Sequence, residues 1–88
     1  MTIVYLNNAF MPLAEASISP LDRGFLFADG VYEVIPAFGG QVFRLEEHLQ
    51  RLNRSLLGIR LDNPYSTNQW QGLFHDLIEK NGGGNLAI

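Results

Sequence analysis

Leu45, Leu49, Leu52 and Leu56 step by four, three and four residues. At 100° per residue they fall within roughly 60° of one another on a helical wheel, the apolar stripe of an amphipathic helix. The spacing predicts a helix from about Leu45 to Leu57, with Gly58 marking its end. A second stripe, Trp70, Leu73, Phe74, Leu77 and Ile78, follows Ser66-Thr67-Asn68-Gln69, which fits a capping box. Asn81 and the run Gly82-Gly83-Gly84 stop that helix.

The first half of the chain shows strand-like patterning instead. Ile3 to Leu6 and Ala9 to Met11 flank Asn7-Asn8, a pair that tolerates the positive φ of a tight hairpin, and Pro12 closes the second strand. Ser19-Pro20 and an Asp22-Arg23-Gly24 turn lead through Phe25-Leu26-Phe27 to Asp29-Gly30. Val31 to Phe38, rich in β-branched and aromatic residues, predicts a strand that Gly39-Gly40 turns back into Gln41 to Arg44. Pro36 has no N–H to donate, so it marks an edge, a bulge or the strand's end. Asn85 to Ile88 reads as the beginning of a further strand that is cut off. The expected fold is α+β: antiparallel hairpins with two helices packed on one face of a small sheet. The other face has no partner in this pattern, which with the unfinished strand suggests a missing part.

Eighty-eight residues allow one domain, and 47% apolar content fits a packed unit. A net charge of −3 gives no basic stripe for nucleic acid. The N-terminus lacks the pattern of a signal peptide, and no run approaches the length of a membrane span. Without cysteine there is no disulfide framework, thiolate zinc site or cysteine nucleophile. These features suggest a soluble, cytoplasmic unit. No second histidine or carboxylate stands out at metal-ligand spacing, so no metal is expected.

On the first helical wheel Arg44, His48, Arg51 and Ser55 share one shoulder of the leucine stripe. Arg51 there is suited to bind a phosphate through its planar fork, or else to pair with Glu47 one turn earlier. His48 is either a proton carrier, a partner of a binding residue, or a hydrogen-bonded boundary histidine. Strand alternation puts Val31, Glu33 and Ile35 on one side and Tyr32 and Val34 on the other. The Tyr32 hydroxyl serves a ligand carboxylate or a backbone group. Asp22-Arg23 reads as a pair that ties a turn, and His75 as a surface residue.

In order along the chain, Tyr5-Leu6-Asn7-Asn8, Asp22-Arg23-Gly24-Phe25, Asp29-Gly30-Val31-Tyr32-Glu33-Val34, the Gly39-Gly40 hairpin and Arg44-Leu45-Glu46-Glu47-His48-Leu49-Gln50-Arg51-Leu52 resemble the fold-type IV, or class IV, pyridoxal-phosphate aminotransferases. The resemblance covers essentially all 88 residues. The wording Glu33-Val34-Ile35-Pro36 leans toward the D-amino-acid transaminase branch. Branched-chain aminotransferase and aminodeoxychorismate lyase are the neighbouring alternatives, and a non-catalytic stand-alone binding module is the alternative of a different kind.

The resemblance implies that residues 1–88 form the small N-terminal domain of a two-domain subunit, truncated near Ile88. It implies pyridoxal 5′-phosphate as cofactor, amino acids and 2-oxo acids as substrates (D-alanine and 2-oxoglutarate in the favoured branch), and a homodimer with both subunits at the site. Arg51 matches the arginine that binds the cofactor phosphate, Tyr32 the tyrosine near the substrate carboxylate, and Val34 a position lining the pocket. His48 is implied as a supporting residue, and Glu33 receives no role. The lysine that forms the Schiff base belongs to the larger domain in this family. Lys80, the only lysine here, does not match it, so the chain alone is expected to be inactive. Ala28 departs from the family, standing where a glycine is common.

Overall fold

The computed structural model describes residues Met1–Ile88. The N-terminal hairpin joins β1 (Ile3–Leu6) to β2 (Ala9–Pro12), with pairing from Ile3 opposite Pro12 to Leu6 opposite Ala9. Asn7 and Asn8 both have positive φ, 49° and 68°, the conformation of a two-residue turn whose twist matches the flanking strands. A short 3₁₀ turn, Leu13–Glu15, follows.

A five-residue helix, α1 (Arg23–Phe27), occupies the segment read from sequence as a turn. It is too short to display a periodicity and contains Gly24. Asp22 caps it by accepting a hydrogen bond from the Gly24 N–H at 2.8 Å. Arg23 pairs with Asp29 rather than Asp22, Nε to Oδ2 at 2.8 Å, and lies 4.9 Å from the Phe27 ring centroid. The expected tie therefore spans the whole helix. Ala28 ends it with φ 57° and ψ 29°, a left-handed conformation that suits glycine better.

The second hairpin is shorter than its sequence pattern. Regular strand is confined to β3 (Pro36–Phe38) and β4 (Gln41–Val42), joined through Gly39 and Gly40 at φ 57° and 79°. Residues 31–34 have no neighbouring strand, although exposure still alternates along them. Pro36 takes the first position of β3, where its missing N–H matters least. Beyond β4 the chain turns at once: Arg44, at φ 57°, is the cap residue of α2 (Leu45–Gly58) rather than the end of a strand. α3 (Thr67–Lys80) begins with the capping box, in which Ser66 Oγ accepts from the Gln69 N–H and Gln69 Oε1 accepts from the Ser66 N–H. β5 (Leu86–Ala87) then pairs antiparallel with β3, and the ladder continues through reciprocal Ile35–Ile88 hydrogen bonds of 2.8 and 2.9 Å.

The fold class is α+β as expected, but the strands form two sheets instead of one: β1–β2, and β4–β3–β5. An apolar groove of about 570 Å³ between β1, α3 and β5 separates them. Asn81 bridges the gap beside it. Its Oδ1 accepts from the Ile3 N–H at 2.8 Å, while its Nδ2 donates to the carbonyls of Ile3 at 2.9 Å and Leu77 at 2.8 Å.

Both helical stripes face inward as predicted. Ile35, Leu49 and Phe74 form the centre of the core, with Val42, Leu45, Leu52, Trp70 and Ile88 packed around them. Only six residues are buried, and the molecule is a plate of 36 × 31 × 17 Å. Its radius of gyration of 13.7 Å exceeds the roughly 12 Å of a compact domain this long, so much apolar surface stays outside. No helix is long and apolar enough to cross a membrane.

Candidate functional site

The core positions the site. Ile35 is buried against Leu49 of α2, and Glu33 lies two residues earlier on the same side of the extended segment. That register brings the Glu33 carboxylate to the shoulder of α2, where His48 and Arg51 stand one turn apart. Glu33 Oε2 accepts from Arg51 Nε at 2.7 Å, and Oε1 accepts from Arg51 Nη2 at 2.8 Å. His48 Nδ1 is also 2.8 Å from Oε1. An ionised carboxylate only accepts, so Nδ1 carries the hydrogen of that bond.

Exposure differs sharply within the cluster. The Glu33 side chain is 8% exposed and His48 15%, whereas Arg51 is 58% exposed. The carboxylate is thus anchored inside while the guanidinium extends into solvent. The Arg51 hydrogen bond holds the Glu33 pKa well below its ordinary 4.5, at about 2; burial opposes this and His48 assists it. Arg51 is raised, chiefly by the same hydrogen bond and charge, with a smaller electrostatic contribution from Tyr32. Both charges therefore persist throughout the neutral range.

From its place on the helix, Arg51 is expected either on a phosphate or against Glu47. The structure replaces Glu47 with Glu33, because a bidentate carboxylate fixed by the core offers two matched acceptors. Glu33, which received no role, is the hub. A charged residue on the same face as Ile35 was the available signal, since such a group needs a partner when that face is covered. Tyr32 and Val34 lie on the other side and are 85% and 57% exposed. Arg44 does not join the cluster; its guanidinium lies 5.4 Å from the Phe43 ring centroid.

Two further positions are separate from this site. Lys80 lies at the end of α3 with Nζ 5.0 Å from the Phe10 ring centroid. His75, Asp76 and Glu79 place ligand-type atoms within 4.8 Å of one another on α3, contrary to the expectation that no carboxylate stands at metal-ligand spacing from a histidine. All three are exposed, and His75 approaches Glu79 at 3.6 Å as an i,i+4 pair.

The family model for amino-transferase class IV matches residues 30–88. This chain belongs to the class IV aminotransferases. The matched segment contains Tyr32, Glu33, Val34, His48 and Arg51. Within this family, D-alanine aminotransferase from Staphylococcus haemolyticus is 38% identical over 88 residues, all of this chain and 31% of that protein. D-alanine aminotransferase from Listeria monocytogenes is 37% identical over 78 residues, 89% of this chain and 27% of that protein. The structure of branched-chain aminotransferase from Thermoproteus uzoniensis with norvaline superposes with a TM-score of 0.84 at 30% identity, covering 98% of this chain and 31% of that one. This class IV aminotransferase chain thus spans about a third of the length of the relatives it matches.

Proposed function

We infer that residues 1–88 act as the small N-terminal domain of a two-domain, pyridoxal-phosphate-dependent transaminase, with D-alanine and 2-oxoglutarate as substrates and pyruvate and D-glutamate as products. The observation that carries this reading is the Arg51 guanidinium, anchored by Glu33 yet 58% exposed. Two of its five N–H groups are engaged, leaving three for an oxyanion, so the residues present fit the phosphate end of the cofactor. When bound, the cofactor supplies the carbonyl and the electron sink for amino-group transfer.

In this reading Arg51 grips the phosphate, the Tyr32 hydroxyl meets the substrate carboxylate, and Val34 forms an apolar part of the pocket wall. His48 holds Glu33 in place. The remote position of Lys80, against Phe10, supports assigning the reactive amine to a second domain and predicts no turnover by these 88 residues alone. The working form is a cytoplasmic homodimer. The identities to D-alanine aminotransferases support the substrate assignment. Branched-chain amino acids are the second reading, supported by the 0.84 TM-score.

Replacing Arg51 by Ala in the complete protein tests the assignment. Loss of a charge-assisted phosphate contact raises the cofactor dissociation constant at least about tenfold. Unchanged cofactor retention after exhaustive dialysis refutes the phosphate role. Comparing kcat/KM for D-alanine with that for L-leucine, L-isoleucine and L-valine separates the two substrate readings.

A further inference from the structure

We propose that Glu33 is a positioning residue that turns the end-on edge of the Arg51 guanidinium toward the bound phosphate. This rests on the phosphate role assigned to Arg51 above. A guanidinium presents two bidentate edges: one formed by Nε with one terminal nitrogen, the other by the two terminal nitrogens. Glu33 takes the first edge completely, at 2.7 Å to Nε and 2.8 Å to Nη2. The second edge, with one Nη1 hydrogen and the remaining Nη2 hydrogen, points away from the carboxylate, and the last Nη1 hydrogen lies on the Cδ side. A phosphate that leaves the Glu33 bond intact must therefore be met end-on.

Glu33 is well placed to fix that direction. Its own side chain is 8% exposed, follows the register set by buried Ile35, and is held a second time by His48. A solvated arginine would otherwise distribute its four side-chain torsions over many rotamers and lose them on binding. The arrangement also carries an opposing effect that makes the proposal testable. Glu33 cancels the charge of Arg51, so a purely electrostatic account predicts that removing the carboxylate tightens phosphate binding. Positioning predicts the reverse. Glutamine keeps one acceptor for Arg51 but turns an NH₂ toward the second N–H, which breaks the two-point hold.

The test measures inorganic phosphate and pyridoxal phosphate affinity in the complete protein for Glu33→Gln and Arg51→Ala, with the fold monitored by circular dichroism. Positioning gives about tenfold weaker binding in Glu33→Gln, the scale of reordering one long side chain. Unchanged or tighter binding in Glu33→Gln, with weakened binding in Arg51→Ala, overturns the positioning role and leaves the phosphate role standing. Unchanged binding in Arg51→Ala overturns both. A second measurement needs no variant: ¹⁵N-resolved NMR of the arginine side chains during a phosphate titration of the unsubstituted protein. The Arg51 Nε–H resonance should stay fixed while its Nη resonances shift. Displacement of the Nε–H resonance means that phosphate takes the side-on edge, and the proposal fails.

Discussion

Glu33→Gln also has a stability consequence whose pH dependence is set by the geometry. The Glu33 pKa falls from 4.5 to about 2 on folding, first through the Arg51 hydrogen bond. Taken at face value that is an upper bound of about 3.4 kcal/mol. Arg51 is 58% exposed, so solvent screening discounts it, and about 1–2 kcal/mol is the expected size. A depressed carboxylate stabilises the fold when it is ionised in both states. The contribution is therefore complete above pH 4.5, declines as the unfolded chain takes up the proton below that, and is lost as pH falls through about 2. Urea unfolding of both proteins, followed by far-ultraviolet circular dichroism at several values between pH 7 and pH 3, reads this directly. The stability difference should be flat from pH 7 to about pH 5 and then narrow. A difference that keeps its full size at pH 3, or one already absent at pH 7, refutes the reasoning.

Two other substitutions test the scaffold. Ala28→Gly relieves a left-handed alanine at φ 57° and should raise stability by roughly 0.5 kcal/mol, after the added freedom of the unfolded chain is offset; a fall in the urea midpoint contradicts it. Asn81→Ala removes two hydrogen bonds that hold β1 to the end of α3 and a third to the Leu77 carbonyl of α3 itself, and leaves the Ile3 N–H and C=O without those partners. It should cost about 2–3 kcal/mol, with faster amide exchange concentrated at Ile3, and uniform exchange along the chain counts against it.

The two long helices were legible because each announces itself twice, through an apolar stripe and through its ends. Leu49 and Leu56 are buried as the wheel requires, and Ser66 and Gln69 make both bonds of the capping box. The Asn7-Asn8 and Gly39-Gly40 turns were legible because few residue pairs tolerate their φ values. α1 was hidden by its brevity. The division into two sheets was hidden as well, because strand pairing depends on contacts between distant segments. The same distance concealed Glu33: its partners lie 15 and 18 residues away, outside any i,i+4 search. Arg51 and His48 drew notice from their shoulder position, while the residue that organises them was visible only as a charge on the face of Ile35.

The bond between Ile3 and Asn81 spans 78 residues and sets a timetable for folding. During synthesis the first hairpin emerges long before the end of α3 that completes its hydrogen bonds. At roughly 5–20 residues per second the interval is about 4–16 s, far longer than the microseconds a hairpin needs to form. Through that interval β1 waits with the groove-facing side of its sheet unclosed, because α3 and β5 supply the rest of the groove's apolar lining. The seam between β1 and the end of α3 therefore closes long after the hairpin it holds, and the pairing of β5 with β3 depends on residues made later still.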